Sequence, residues 1–309
     1  MITTVTLHAA IDRTCYVDRL HVGQVHRIAR QFDEPGGKGN NVAKVIRQLG
    51  GEVTATGMIA GSNGAFIEHC LNERGIHTAF VKMPGESRVC LNIVDEARGS
   101  STELLGQGPA ITKVEAEAIR EQVGELSGKS SVVVLSGSLP AGAEVNLYAD
   151  LIGMIRSSGA KVFLDTSSAA LREGITALPH FVKPNEQELA QWLGHEPKER
   201  NEWIQGARQL ADQGISAVCV TLGSRGAIAV LEGAAYFVRP PRIQPVNTVG
   251  CGDAFVAGMA YAEECGKSPA DKLRIAAAAA AANAMSIKAG DIDIGLYQEY
   301  ERQVEVIAL

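Results

Sequence analysis

The feature that most constrains this chain is an alternation of short β-branched apolar runs with longer amphipathic ones. Residues 4–7, 53–59, 132–136, 162–165, 181–183, 218–222 and 227–231 are the strand candidates. Helical periodicity fills the stretches around residues 40–49, 65–74, 113–126, 145–157, 186–193, 203–213, 254–264 and 269–287. A strand that is apolar on both faces must be covered on both, and a strand–helix–strand repeat returns parallel to itself. The expected fold is α/β: a doubly wound, mostly parallel central sheet with helices on both faces.

Two stretches break the rhythm, about 13–34 and about 80–107. Both alternate around glycine turns without helical period, which predicts inserted hairpins forming a small β-sheet lid over one end of the main sheet. Neither is flanked by a Pro/Ser-rich linker, so residues 1–309 are expected to fold as a single domain. The 29 basic and 35 acidic residues give a net charge of −6 without a basic block, which argues against nucleic-acid binding. The longest apolar run, the seven alanines 276–282, is too short and too weakly hydrophobic to span a bilayer. The N-terminus lacks a basic segment followed by an apolar block, so a cytoplasmic protein is expected. The six cysteines show no CxxC spacing, which speaks against zinc or a disulfide framework.

Three motifs carry chemistry. Residues 247–253, NTVGCGD, run a glycine-rich turn straight into an amphipathic helix, where the N–H groups of Gly250, Cys251 and Gly252 and the helix dipole favour an anion. Asp253 is either a simple helix cap or the base that a phosphoryl acceptor needs beside such a turn. Residues 35–41, PGGKGNN, open the next helix signal with Gly37, Lys38 and Asn41 placed for a close ligand contact, or for a mere turn. Residues 183–188, KPNEQE, put Asn185 and Glu188 three apart on one helical face, either as a cap or as a site orienting hydrated Mg²⁺. GELSGKS at 124–130 only imitates a phosphate loop, because it precedes a strand instead of following one. The alanine run would admit either a tightly packed neighbour or a flat ligand.

In this order the motifs resemble those of the ribokinase/PfkB-type carbohydrate kinases, nearly end to end. TVTLHAAID at 4–12, SRVCLNI at 87–93, TELLGQGP at 102–109, SGSLPAG at 136–142 and LDTSSAAL at 164–171 are similar to the bacterial branch of tagatose-6-phosphate kinase and 1-phosphofructokinase. The resemblance implies a ribokinase-like fold and ATP-dependent phosphorylation of a phosphorylated ketohexose, with Asp253 as base and residues 250–252 as anion hole. It implies Asp12, Gly37, Lys38 and Asn41 on the sugar, with Arg88 and Arg27 on the phosphate the substrate already carries. Lys183, Asn185, Glu188, Thr221, Gly223, Gly226 and Asn283 would line the ATP–Mg²⁺ side, with the alanine helix flanking the adenine. A monovalent cation near Asn247 and Val249, and a homodimer through the lids, also belong to that expectation. His8 and Ala9 stand where the branch has Asn and Pro, and His26 where it has Asn, which leaves the identity of the sugar open. A kinase of an unphosphorylated sugar or nucleoside, or a non-catalytic sugar-phosphate-binding regulator, are the alternatives. Cys251 stands where Ala or Ser is usual, and a thiol at a helix N-terminus is expected to ionise readily.

Overall fold

All the apolar runs but 227–231 find parallel partners, as strands buried on both faces require. The computed structural model describes residues 1–309. The chain begins with β1 (Ile2–Thr6), β2 (Ala10–Val17), β3 (Arg30–Gly36), α1 (Lys38–Gln48), β4 (Val53–Ala60), α2 (Gly61–Glu73), β5 (His77–Met83), β6 (Arg88–Asp95) and β7 (Ser100–Leu105). Next come α3 (Lys113–Ser127), β8 (Val132–Ser136), α4 (Leu147–Ser157), β9 (Lys161–Asp165), α5 (Ser168–Thr176), β10 (Phe181–Val182), α6 (Glu186–Leu193), α7 (Arg200–Ala211) and β11 (Ala217–Thr221). It closes with β12 (Ala227–Leu231), β13 (Ala234–Arg239), α8 (Cys251–Glu264), α9 (Pro269–Ala284), α10 (Ile294–Gln303) and β14 (Glu305–Ala308).

The large sheet has ten strands in the order β14-β13-β12-β11-β10-β9-β8-β1-β4-β5. From β5 across to β11 every pairing is parallel, and β12, β13 and β14 continue it antiparallel. Alternate side chains feed two cores, as the period of a strand dictates. Val132 and Val134 of β8 join the core under α1, α8 and α9, while Val133 and Leu135 join the one under α3 and α4. The alanine run lies in α9 and lets α8 approach to backbone contact: a Cβ on Gly258 would stand 2.6 Å from the Ala276 Cα. No helix is long and apolar enough to cross a membrane.

A second sheet of four strands, β3-β2-β6-β7, lies apart from the first. Its β2–β3 and β6–β7 pairs are antiparallel and its β2–β6 pair parallel. Register puts Asp12 beside both Glu34 and Cys90, Thr14 beside Phe32 and Asn92, and Glu103 beside Asn92, so these side chains share one face.

The differences from the sequence reading have local causes. Residues 77–83, partly assigned to the inserted segment, form β5 and pair with β4 at the edge of the large sheet. Helix α5 escaped notice because Ser167 makes no side-chain capping bond and Ser168 takes a left-handed φ of 57°. Strand β14 has no alternation to detect, being exposed at three of its four residues, and β13 and α10 were likewise not anticipated. The segment 124–130 ends α3, with Lys129 spent on Glu125.

Candidate active site

Parallel sheets gather their chemistry at the carboxyl ends of the strands, and the main cleft lies there. It has a volume of about 1130 Å³ and is lined by the small sheet, the loops after β10 and β11 and the turn before α8. Asp165 ends β9, Lys183 follows β10, and Thr221 ends β11.

At the centre is the turn into α8. Gly250 caps the helix with φ +82°, a left-handed conformation that glycine adopts without strain, and Ala254 N donates to Gly250 O at 2.8 Å to start the helix. Cys251 N donates to Thr248 O at 3.3 Å, so it is not one of the free donors that the sequence suggested. The N–H groups of Gly250, Gly252 and Asp253 have no intramolecular acceptor, which leaves a set of donors at a helix N-terminus suited to an anion. A Cβ on Gly252 would stand 3.3 Å from the Lys183 Nζ, which places an ammonium beside the same turn.

Asp253 is 6 % exposed, and Asn41 Nδ2 donates to its Oδ2 at 2.8 Å. Burial raises its carboxyl to about 6, against the opposing pull of the Lys38 ammonium. The other end of the Asn41 amide, Oδ1, is buried without a hydrogen-bond partner, an acceptor aimed at a ligand hydroxyl. Asn41 and Lys38 sit in the first turn of α1, which Gly37 caps with φ +96°; a Cβ there would collide with Thr6 Cγ2 at 2.6 Å.

Sequence reasoning missed Asp165. Its fully buried carboxylate holds Lys183 Nζ at 3.2 Å and Lys38 Nζ at 3.4 Å. Burial alone would raise this carboxyl, but the two ammonium groups outweigh it and leave it below its ordinary value. Lys38 is raised in turn, chiefly by Asp165. A single buried anion thus fixes two cations at the mouth of the α8 turn. No spacing rule links residues 38, 165 and 183; only the topology brings them together.

The small sheet closes the sugar side with Asp12, Glu34, Arg88, Asn92 and Glu103. Arg88 Nη2 donates to His8 O at 3.1 Å, while its Nε is buried without a partner. His8 receives the Gly108 N–H on Nε2 at 3.3 Å and reaches Ser138 Oγ at 3.2 Å through Nδ1. Burial, with Arg88 nearby, holds its imidazole down to about 4, so it is neutral at physiological pH. Burial raises Asp12, and Lys44 and Arg88 oppose the shift. Arg27 is not brought in: it is exposed in the segment between β2 and β3 and does not line the cleft.

On the opposite side Thr221, Gly223 and Gly226 line the cleft with Ala277, Ala280, Ala281 and Ala284 of α9. These alanines face Phe237, Val238, Pro240 and Ile243 across an apolar slot suited to a flat aromatic base. The 237–245 wall gave no motif in the sequence. Asn283 does not reach the slot, because its amide is spent internally: Nδ2 donates to Val249 O at 2.9 Å and Oδ1 accepts from Gly290 N at 2.8 Å. Asn185 and Glu188 form a reciprocal capping box on α6. Asn185 lines the cleft, whereas Glu188 does not and is joined to it only through this box.

Cys251 corrects an expectation. Burial raises its thiol above the ordinary value, despite a hydrogen bond from Asn283 Nδ2 at 3.5 Å, so it is not an easily ionised nucleophile.

The chain is 32% identical to 1-phosphofructokinase of Vibrio cholerae over 308 residues, covering 100% of this chain and 97% of that protein. It is 34% identical to tagatose-6-phosphate kinase of Staphylococcus epidermidis over 310 residues, covering 99% of each. Among solved structures, phosphofructokinase-2 from Escherichia coli in complex with potassium superposes with a TM-score of 0.93, at 28% identity over 98% of both chains. The family described as pfkB family carbohydrate kinase matches residues 4–293. With a match over residues 4–293 and relatives at 32–34% identity over the whole chain, the chain belongs to the pfkB family of carbohydrate kinases.

Proposed function

We propose that this kinase transfers the γ-phosphoryl group of ATP to a hydroxyl of a phosphorylated ketohexose (tagatose 6-phosphate, fructose 1-phosphate or fructose 6-phosphate), giving a bisphosphate. The observation that carries the reading is Asp253, a buried carboxylate beside free N–H donors at the junction of a sugar side and a nucleotide side. Asn41 Oδ1 and Asp12 orient the sugar hydroxyls, and the free Nε of Arg88 receives the phosphate already present. The acceptor oxygen attacks the γ-phosphorus as the bond to the bridging oxygen breaks, and ADP leaves. The hydroxyl proton passes late to Asp253, since a loose transition state needs little early deprotonation. The N–H groups of Gly250, Gly252 and Asp253, with Lys183 and Lys38, balance the charge on the moving phosphoryl oxygens.

The residues fit Mg²⁺ held chiefly by water and nucleotide phosphates. Glu188 commits only Oε2 to its cap, and no three His, Cys, Asp or Glu side chains converge into an all-protein cage. Glu188 and Asn185 would hold the hydrated ion, which neutralises phosphate charge when bound. The carbonyls of Asn247 and Val249 precede the turn, where a monovalent cation would order it. The protein acts in the cytoplasm on this reading.

An ATP-coupled panel of the three ketohexose phosphates against fructose and a nucleoside tests it, repeated with Arg88→Ala. One sugar phosphate is expected to dominate in kcat/KM. Arg88→Ala raises its KM about 10–100-fold, the scale of one or two lost charge-assisted hydrogen bonds, and leaves KM for unphosphorylated fructose within about 3-fold. Preferred turnover of an unphosphorylated sugar or nucleoside would overturn the substrate assignment; binding of a sugar phosphate with no turnover of any acceptor would make the protein a regulator.

A further inference from the structure

Lys44 is the least exposed cation of the chain, at 2 %. It projects from α1 one turn past Asn41 and makes no ion pair within 4 Å; its Nζ donates to a neutral carbonyl, Ala289 O, at 2.7 Å. Glu34, Asp12 and Asp291 attract it only from beyond ion-pair distance, and burying an ammonium without a direct partner is unfavourable, so stability does not account for its place. What the lysine holds is the segment 286–292. On the next turn of the same helix, Gln48 Nε2 donates to Asp291 Oδ1 at 3.1 Å and Oε1 accepts from Ile292 N at 2.7 Å. The segment is wedged between α1 and the anion turn. A Cβ on Gly290 would lie 2.8 Å from both Asn41 Cα and Lys44 Cε, and a Cβ on Gly250 would lie 3.0 Å from Ala289 Cβ and 3.1 Å from Gly290 N. Helix α1 therefore reaches Asp253 directly through Asn41, and reaches the donors of the α8 turn from beneath through Lys44 and Ala289.

We infer that Lys44 is a positioning residue for phosphoryl transfer: by pinning Ala289 it sets the backbone under Gly250, and with it the aim of the N–H donors that receive the phosphoryl group. The inference rests on the proposed kinase reading. Donors aimed at the transition state affect turnover more than ground-state binding, so the effect falls on kcat.

The test compares the whole enzyme with Lys44→Met, a neutral side chain of similar length, and with Gln48→Leu, which loosens the same segment without removing the charge. Lys44→Met is expected to lower kcat about 10-fold or more, with KM for the sugar phosphate within about 3-fold. Its melting temperature should stay level or rise, because a buried unpaired charge is gone. Gln48→Leu should give a smaller loss in kcat alone. A kcat within about 2-fold of wild type in both variants would overturn the inference. So would a KM that rises as kcat falls, since Lys44 would then act on sugar binding through nearby Asp12 and Glu34. A fall in melting temperature that parallels the lost activity would make Lys44 merely structural. If Lys44→Met fails to fold, Gln48→Leu decides alone, with an unchanged kcat counting against. Wild-type turnover in the substrate panel tests the kinase reading separately, because here only ratios to wild type count.

Discussion

Asp253 is the proposed base, and its environment sets two pH dependences that can be checked. A base raised to about 6 by burial is protonated, and idle, at lower pH. We expect kcat/KM to fall about tenfold per pH unit below that point. The same shift bears on stability. A carboxyl whose folded value lies above its unfolded value contributes fully below the unfolded value and loses that contribution as pH rises through about 6. Asp253→Asn removes the loss, so the variant should melt together with wild type near pH 4 and up to about 5 °C higher at pH 8. Equal melting temperatures at pH 8 would mean that the carboxylate is better solvated than its burial indicates. Asp253, Asn41, Lys38 and the glycines around them were legible because each lies in a short local motif whose glycines mark the close approach. Asp165 was not, since an aspartate ending an apolar strand looks the same whether it holds two lysines or faces solvent. Arg27 and Asn283 were read into the site by resemblance, whereas the first is exposed and the second spends both ends of its amide on backbone.

At the level of elements, the contact between α8 and α9 governs how Asp253 is presented. Gly258 of α8 lies against the α9 backbone at the start of the alanine run, 2.6 Å separating its would-be Cβ from Ala276 Cα. Gly258→Ala should therefore destabilise by about 1–3 kcal/mol through overpacking. Gly153→Ala in α4, with nothing within 4 Å of the added methyl, should be neutral or stabilising by up to about 1 kcal/mol. Denaturant unfolding of the pair checks this, and equal effects would show that the helices part freely. Most of the parallel strands and most helices were readable from periodicity alone, because burial on two faces keeps charged residues out of the strand interiors and admits mainly apolar side chains and threonine. Strand β13, the edge strand β14 and helix α10 face solvent enough to blur that signal, so only tertiary pairing reveals them.

Across the whole molecule, the cleft joins residues drawn from both sheets, and the small sheet remains incompletely covered. Val22 and Val25, in the connection between β2 and β3, and Leu104 and Leu105 on β7 are all more than half exposed. Apolar side chains left in water at one sheet favour association, which supports the proposal of a homodimer through the small sheets. Leu105→Asp should shift the sedimentation profile toward monomer without changing its far-ultraviolet circular dichroism. A wild-type protein that sediments as a monomer at micromolar concentration would contradict the dimer. The account of the molecule stands most directly on Asp253→Asn, assayed with ATP and the preferred sugar phosphate while calorimetry follows sugar binding. Turnover should fall at least ~100-fold, the scale of a lost positioned base, with the sugar phosphate Kd within about 3-fold of wild type; near-normal turnover would contradict the role given to this carboxylate.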